Sequence, residues 1–150
     1  MQLSAFLAPS AVALDIEASD RDAVLAALVE LLGVTGRQRT TLLRLLTRRE
    51  VLGSTAVGRG IAIPHCRTLV VPRVRMAYAR LATPLPWESL DGDPVRHVFL
   101  IVAPPVEVSN QYLPALARLA HFARDPGATR DLDRLEAPAG IAAVLAAHGG

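Results

Sequence analysis

The sequence contains no lysine, because all 16 of its basic residues are arginine. A P-loop nucleotide site and a Schiff-base mechanism both depend on a lysine side chain, so both are excluded. The single cysteine, Cys66, cannot form a disulfide within the chain and is typical of a reducing compartment. The 14 acidic residues lie among the arginines and leave a net charge of +2. We therefore expect no polybasic segment and no nucleic-acid partner.

Long apolar runs and secretory signals are also missing. No stretch approaches the roughly 18 unbroken apolar residues of a membrane helix, and the amino terminus lacks a basic segment followed by an apolar core. We therefore expect a cytoplasmic chain without membrane insertion. The four histidines and one cysteine do not have metal-ligand spacing, so neither a metal site nor a cofactor is expected.

The length of 150 residues and the apolar content of 51% predict a single globular domain, residues 1–150. Apolar segments typical of strands occupy 11–16, 61–63, 74–82 and 95–103. Segments with helical spacing occupy 19–33, 38–51 and 109–124, and one or two short helices follow. The segment 98–102 is apolar without alternation, as in a strand covered on both faces. This order of elements predicts an α/β sandwich.

The segment from Gly58 to Arg67 is the strongest candidate for chemistry. It reads Gly-Arg-Gly-Ile-Ala-Ile-Pro-His-Cys-Arg, and His65 directly follows a short strand that ends in Pro64. Proline removes a backbone donor, so we expect the chain to leave the sheet here. A neutral imidazole is a nucleophile near pH 7, and the guanidinium groups of Arg59 and Arg67 match phosphate oxygens. The alternative is a histidine that only bonds to the backbone of a turn.

The longer segment 49–65 resembles the signature of enzyme IIA of the phosphoenolpyruvate-dependent phosphotransferase system, in the fructose, mannitol and nitrogen-regulatory class. The matching pieces are the Arg-Glu pair at 49–50, the Leu-Gly-Ser-Thr run at 52–55 and the Gly-Ile-Ala-Ile-Pro-His stretch at 60–65. Further similarity lies at 90–95 and 113–125, so the resemblance covers about residues 3–147. It implies a three-layer sandwich: a central mixed, mostly parallel sheet of about five strands with helices on both faces.

The resemblance also implies a function. A small HPr-like carrier protein would phosphorylate the histidine that matches His65, and the phosphohistidine would pass the group to an enzyme IIB during sugar uptake. The chain would then be a phosphotransferase component. In the nitrogen-regulatory alternative, the phosphorylation state controls binding to transporters or kinases. The family arginine near the site matches Arg49, which otherwise is a solvated charge at a helix end. The resemblance does not define an oligomeric state.

One position departs from the family pattern. Many members carry a second histidine before the third long helix, in an Asn-x-His-Leu motif, and this sequence has Tyr112 there. A tyrosine hydroxyl still donates a hydrogen bond, although it is neutral and a poor base at pH 7. Ser54 and Thr55 are further candidates for hydrogen bonds to a phosphoryl group, and their alternative is to satisfy local backbone.

Overall fold

The computed structural model describes residues 1–150. Six strands and five helices follow one another along the chain, with short 3₁₀ turns between some of them. The elements are β1 (Val12–Ile16), α1 (Arg21–Leu31), α2 (Gly36–Leu52), β2 (Ala56–Gly58), β3 (Ile61–Ala62), β4 (His65–Arg67), β5 (Arg75–Leu85), β6 (Val95–Ala103), α3 (Tyr112–Ala123), α4 (Pro126–Arg134) and α5 (Ile141–Ala147).

The strands form one mixed sheet in the order β1-β5-β6-β3-β2, with β4 also paired to β6. The β1–β5, β3–β6 and β4–β6 pairs are parallel, and the β2–β3 and β5–β6 pairs are antiparallel. The predicted mixed, mostly parallel sheet is thereby confirmed. It has six strands rather than about five, because the glycine-rich segment after α2 divides into three short strands.

Helices cover both faces of this sheet, as the three-layer prediction requires. On one face the ring of Phe99, from β6, lies 5.8 Å from the ring of Phe122, from α3. Side chains alternate between the two faces of a strand, so Val98 and Leu100 point to the opposite face, where they are also fully buried. The helices α1 and α2 pack on each other, α1 packs on β5 and α2 on β4. The central strand β6 therefore lies in the middle of the core.

The chain does not leave the sheet at Pro64, which corrects the expectation from the sequence. Both β3 and β4 run parallel to the same neighbour, β6. Between them the carbonyl oxygen of Pro64 accepts a hydrogen bond from the N–H of Ile101 at 3.0 Å. The proline lacks an N–H, but at the edge of a sheet a strand tolerates that loss. The strand β4 pairs with β6 alone, so His65, at the start of β4, lies at an edge of the sheet.

The third long helix begins beside this edge. The segment 104–111 connects β6 to α3, which starts at Tyr112 and includes Pro114 in its first turn. Proline is tolerated there because the first N–H groups of a helix have no partner within it. The sequence places the helix start near Leu113, which agrees with the structure within one residue.

Candidate active site

His65 has a defined tautomer. Its Nδ1 lies 2.7 Å from the carbonyl oxygen of Ile63. A carbonyl oxygen only accepts hydrogen bonds, so Nδ1 carries a proton and donates it. In the neutral ring the lone pair is then on Nε2. The side chain is only half-buried, so His65 is a candidate nucleophile at Nε2.

The surroundings favour the neutral form of this ring. Burial is the main cause that lowers the pKa of His65 below its usual value, and the positive charge of Arg49 lowers it further. The hydrogen bond to Ile63 and the negative charge of Glu50 act in the opposite direction without cancelling the effect. Arg49 therefore supplies a guanidinium charge that lowers the pKa of this imidazole. Near pH 7 the ring is mostly neutral.

Arg49 comes to the site from the last turn of α2. It is half-buried, and its Nη1 donates a hydrogen bond to the carbonyl oxygen of Gly53 at 2.7 Å. That carbonyl follows the end of the helix, so the bond holds the side chain against the helix terminus. A guanidinium group retains four further N–H donors for an anion.

Tyr112 and Arg67 stack on each other next to His65. The Tyr112 ring centroid lies 6.2 Å from that of His65, with the planes inclined by 53°. The guanidinium carbon of Arg67 lies 4.4 Å from the Tyr112 ring centroid, and its Nη1 donates to the Pro104 carbonyl oxygen at 3.0 Å. Burial raises the pKa of Tyr112 to about 12. The hydroxyl therefore keeps its proton at neutral pH.

Ser54 and Thr55 make hydrogen bonds within the protein. The Ser54 hydroxyl donates to the carbonyl oxygen of Glu88 and accepts from the N–H of Ala56 at 3.1 Å. The Thr55 hydroxyl donates to the carboxylate of Glu50. Both side chains therefore have a structural role, and their predicted contact with a phosphoryl group stays a prediction.

The structure does not bring Arg59 to His65. In the register with β6, Ile61 pairs with His97 and His65 pairs with Ile101. Four residues along a strand correspond to about 13 Å, and Arg59 lies farther still, at the tip of the β2–β3 turn. There it has a positive φ of 57°, and its N–H is bound by Asp91 at 2.8 Å. This separation argues against a contact of Arg59 with a phosphoryl group on His65, and the predicted phosphate-binding role of Arg59 stays a prediction.

A family model matches nearly the whole chain. Residues 5–148 match the model described as "Phosphoenolpyruvate-dependent sugar phosphotransferase system, EIIA 2". The chain belongs to this EIIA family. The resemblance found in the 49–65 segment is thereby confirmed, as is the expected α/β fold.

Two curated relatives of this EIIA chain have different names. A "Nitrogen regulatory protein" of Bradyrhizobium diazoefficiens is 39% identical over 113 residues, which are 75% of this chain and 73% of that protein. A "PTS system 2-O-alpha-mannosyl-D-glycerate-specific EIIABC component" of Escherichia coli is 34% identical over 122 residues, which are 79% of this chain but only 18% of that protein. The similarity therefore spans about three quarters of one relative and a small part of the other.

The solved structure of nitrogen regulatory protein IIA-Ntr from Neisseria meningitidis has the same fold as this EIIA chain. The TM-score is 0.86 at 26% sequence identity, and the match covers 95% of this chain and 98% of that one. No helix of the EIIA chain is both long enough and apolar enough to cross a membrane.

Glu50 is a buried acid of the candidate site that sequence reasoning did not single out. Its side chain is only 3% exposed, and it accepts hydrogen bonds from Thr55 and Trp87. A signal for it was present in the sequence. The fully buried side chains of α2 are Leu42 and Leu46, and Glu50 is the next position of that four-residue series. An acidic side chain on the buried face of a helix needs hydrogen-bond donors from within the protein. Such a residue therefore indicates a polar site where the helix packs on the core.

Two further histidines, His97 and His148, lie apart from His65, and the thiol of Cys66 is protonated at neutral pH. His97 is buried and lies between the Tyr78 hydroxyl, at 2.7 Å, and Asp133, at 2.8 Å. His148 joins Asp125 and Asp131 near the carboxyl terminus. Burial raises the pKa of the Cys66 thiol to about 12. No group of three or more histidine, cysteine, aspartate or glutamate side chains, the His148 cluster included, is arranged so that it could hold a metal ion.

Proposed function

We propose that this chain is a phosphocarrier that accepts a phosphoryl group on Nε2 of His65 from a phosphohistidine of an HPr-like protein. The observation that carries the proposal is the bond from Nδ1 to the Ile63 carbonyl, because it leaves Nε2 as the nucleophilic nitrogen. The lowered pKa of His65 supports it, since only the neutral ring has a lone pair to offer.

The transfer step follows from this tautomer. The Nε2 lone pair attacks phosphorus, the bond from phosphorus to the donor nitrogen breaks, and the electron pair of that bond returns to the donor ring. Both nitrogens of His65 are then substituted, so the ring carries a positive charge. The Ile63 carbonyl oxygen, which accepts from Nδ1–H, stabilises this charge.

Arginine and tyrosine side chains supply the electrostatic part of the proposed catalysis. Arg49 acts on the imidazole through its charge, and we expect it to neutralise the arriving phosphoryl oxygens. The Arg67 guanidinium donates to the Pro104 carbonyl oxygen and lies over the Tyr112 ring. Its other N–H groups are left to donate to phosphoryl oxygens. The Tyr112 hydroxyl takes the place of the family's second histidine as a hydrogen-bond donor. Positioned charges of this kind provide most of the rate enhancement in phosphoryl transfer.

Exposed hydrophobic side chains that neighbour site residues in sequence support transfer between proteins rather than to a small molecule. Several large hydrophobic side chains are exposed on the segments that lead to or from site residues: Val51, Leu52, Leu69, Val106, Val108 and Leu113. Clusters of exposed apolar side chains are typical of protein interaction sites. We propose that the phosphoryl donor and acceptor proteins dock here in turn.

The onward step separates two candidate functions. In the main one, the phosphoryl group passes from His65 to a cysteine of an enzyme IIB, in agreement with the EIIABC name of the Escherichia coli relative. In the alternative, phosphorylation of His65 adds charge to the docking surface and controls binding to a transporter or kinase. The nitrogen regulatory names of the Bradyrhizobium relative and the Neisseria structure favour this second function.

Incubation with phosphoenolpyruvate, enzyme I and HPr tests the shared first step. We expect a mass increase of one phosphoryl group that is lost in acid and stable in base. His65→Ala removes the acceptor nitrogen and should abolish the increase, and His121→Ala is a matched control on the exposed face of α3. Phosphorylation of the His65→Ala protein would contradict the proposal. Transfer from the phosphorylated protein to an added IIB favours the carrier function, and its absence favours regulation.

A further inference from the structure

Three hydrogen-bond donors surround the buried carboxylate of Glu50. Its Oε2 accepts from the backbone N–H of Thr55 at 3.2 Å and from the indole Nε1–H of Trp87 at 3.3 Å. Its Oε1 accepts from the Thr55 hydroxyl. Two of the three donors therefore belong to one residue, which the carboxylate holds by its backbone and its side chain together.

Thr55 connects this carboxylate to the nucleophile. The Thr55 carbonyl oxygen accepts from the N–H of Ile63 at 2.9 Å. The Ile63 carbonyl oxygen in turn accepts from Nδ1–H of His65 at 2.7 Å. An unbroken line of hydrogen bonds thus runs from Glu50 through Thr55 and Ile63 to the imidazole.

We propose that Glu50 is a positioning residue for phosphoryl transfer, which holds the ring of His65 in its reactive orientation and tautomer through Thr55 and Ile63. This inference rests on the function proposed above. The Ile63 carbonyl is the partner that keeps the proton on Nδ1. If that carbonyl moves, the proton exchanges between the two nitrogens, and Nε2–H carries no lone pair for attack.

The donor pattern makes a sharp test possible. In Glu50→Gln the amide oxygen can occupy the place of Oε2 and accept from both N–H groups, while the amide NH₂ donates to the Thr55 hydroxyl oxygen. All three contacts are then preserved and only the charge is lost. In Glu50→Ala all three contacts are lost. Glu88→Ala is the matched control, because that glutamate side chain is exposed.

The primary measurement is the ¹⁵N NMR spectrum of the His65 ring at pH 8 in the unphosphorylated protein. We expect a single Nδ1–H tautomer in the natural protein, in Glu50→Gln and in Glu88→Ala, and a mixture of tautomers in Glu50→Ala. The rate of phosphorylation by HPr should fall on the order of tenfold to a hundredfold in Glu50→Ala, since displacement of a reacting group has effects of that size. Glu50→Gln should recover most of this loss.

A second pair of variants covers the case in which Glu50→Ala does not fold. Thr55→Val removes the hydroxyl donor but keeps the backbone N–H, and Thr55→Ser restores a hydroxyl. We expect a partial mixture of tautomers and a slower reaction in Thr55→Val, and recovery of both in Thr55→Ser. A single tautomer together with an unchanged rate in Thr55→Val or in Glu50→Ala would overturn the inference.

The rate and the spectrum together distinguish positioning from general stability. A folded Glu50→Ala protein that keeps the single tautomer and still reacts slowly would overturn the positioning role. Failure of the natural protein to accept a phosphoryl group would overturn the proposed function itself. In that event the spectrum alone still decides whether Glu50 orients the ring.

Discussion

Replacing Tyr112 by phenylalanine and by leucine separates the role of its ring from that of its hydroxyl. The Tyr112 side chain is 6% exposed, and the Arg67 guanidinium carbon lies 4.4 Å from the ring centroid. A cation over an aromatic ring at a partly buried site contributes about 0.5–2 kcal/mol. Tyr112→Phe keeps this contact, whereas Tyr112→Leu removes it and also changes the packing around it.

Urea unfolding of a double-mutant cycle measures the contact between the two side chains. The cycle combines Tyr112→Leu with Arg67→Met, since methionine keeps an apolar stem without the charge. We expect a coupling free energy of about 1 kcal/mol. The same cycle built on Tyr112→Phe should show a coupling below about 0.5 kcal/mol, because the ring remains. Coupling near zero in the leucine cycle, or equal coupling in both cycles, would refute the reasoning.

Phosphorylation kinetics of the same variants test the hydroxyl. A hydrogen bond to a charged group contributes about 1.5–3 kcal/mol, so Tyr112→Phe should react with HPr about tenfold to a hundredfold more slowly if the hydroxyl contacts the phosphoryl group. An unchanged rate in Tyr112→Phe would exclude this donor role. In that case Tyr112 would act through its ring alone, as a platform for Arg67.

Three shorter predictions concern other charged side chains. Arg49→Gln should raise the pKa of His65, because burial and then the Arg49 charge lower it; an NMR titration of the ring measures this, and a lower pKa would contradict it. His148→Gln should destabilise the protein more at pH 6 than at pH 9 in urea unfolding. The bonds to Asp131 and Asp125 raise the pKa of His148, so its stabilisation is complete below the unfolded pKa and is lost as pH rises through the folded one. Equal losses at both pH values would exclude the linkage. Arg59→Ala should leave the phosphorylation rate unchanged, because the residue lies far from His65, and a clear loss of rate would show that it reaches the site.

The sequence predicted the elements that have a strong local pattern. The apolar run at 98–102 indicated the central strand, and the run from Ile61 to His65 indicated where the candidate nucleophile lies. What it could not predict are separations set by pairing. Arg59 and Arg67 are both close to His65 along the chain, yet the antiparallel β2–β3 pair places Arg59 at the other end of a short strand. Only the register with β6 distinguishes the two arginines.

Contacts between distant segments were equally beyond local reasoning. The resemblance identified Tyr112 by its place in a motif, but its contact with Arg67 depends on how α3 packs beside β4. Glu50 lay within the recognised Arg-Glu pair, and its four-residue spacing from Leu46 was visible. Its donors, Thr55 and Trp87, come from other segments, so the hydrogen-bond line to His65 required the fold.

The replacement of the family's second histidine by Tyr112 leads to a last prediction about pH. Tyr112 and Cys66 each have a pKa raised to about 12 by burial, so neither titrates between pH 5 and pH 8. Burial lowers the pKa of His65 below its usual 6.5, so its ring loses its charge as pH rises through that lowered pKa. In the proposed mechanism only the neutral His65 ring accepts a phosphoryl group. The rate of phosphorylation should therefore rise with pH through the ionisation of His65 and then stay constant. Tyr112→His, measured with the same HPr, should add a second ionisation to the profile. A bell-shaped profile for the natural protein in that range, with the donor's own titration subtracted, would mean that another acid takes part in the transfer.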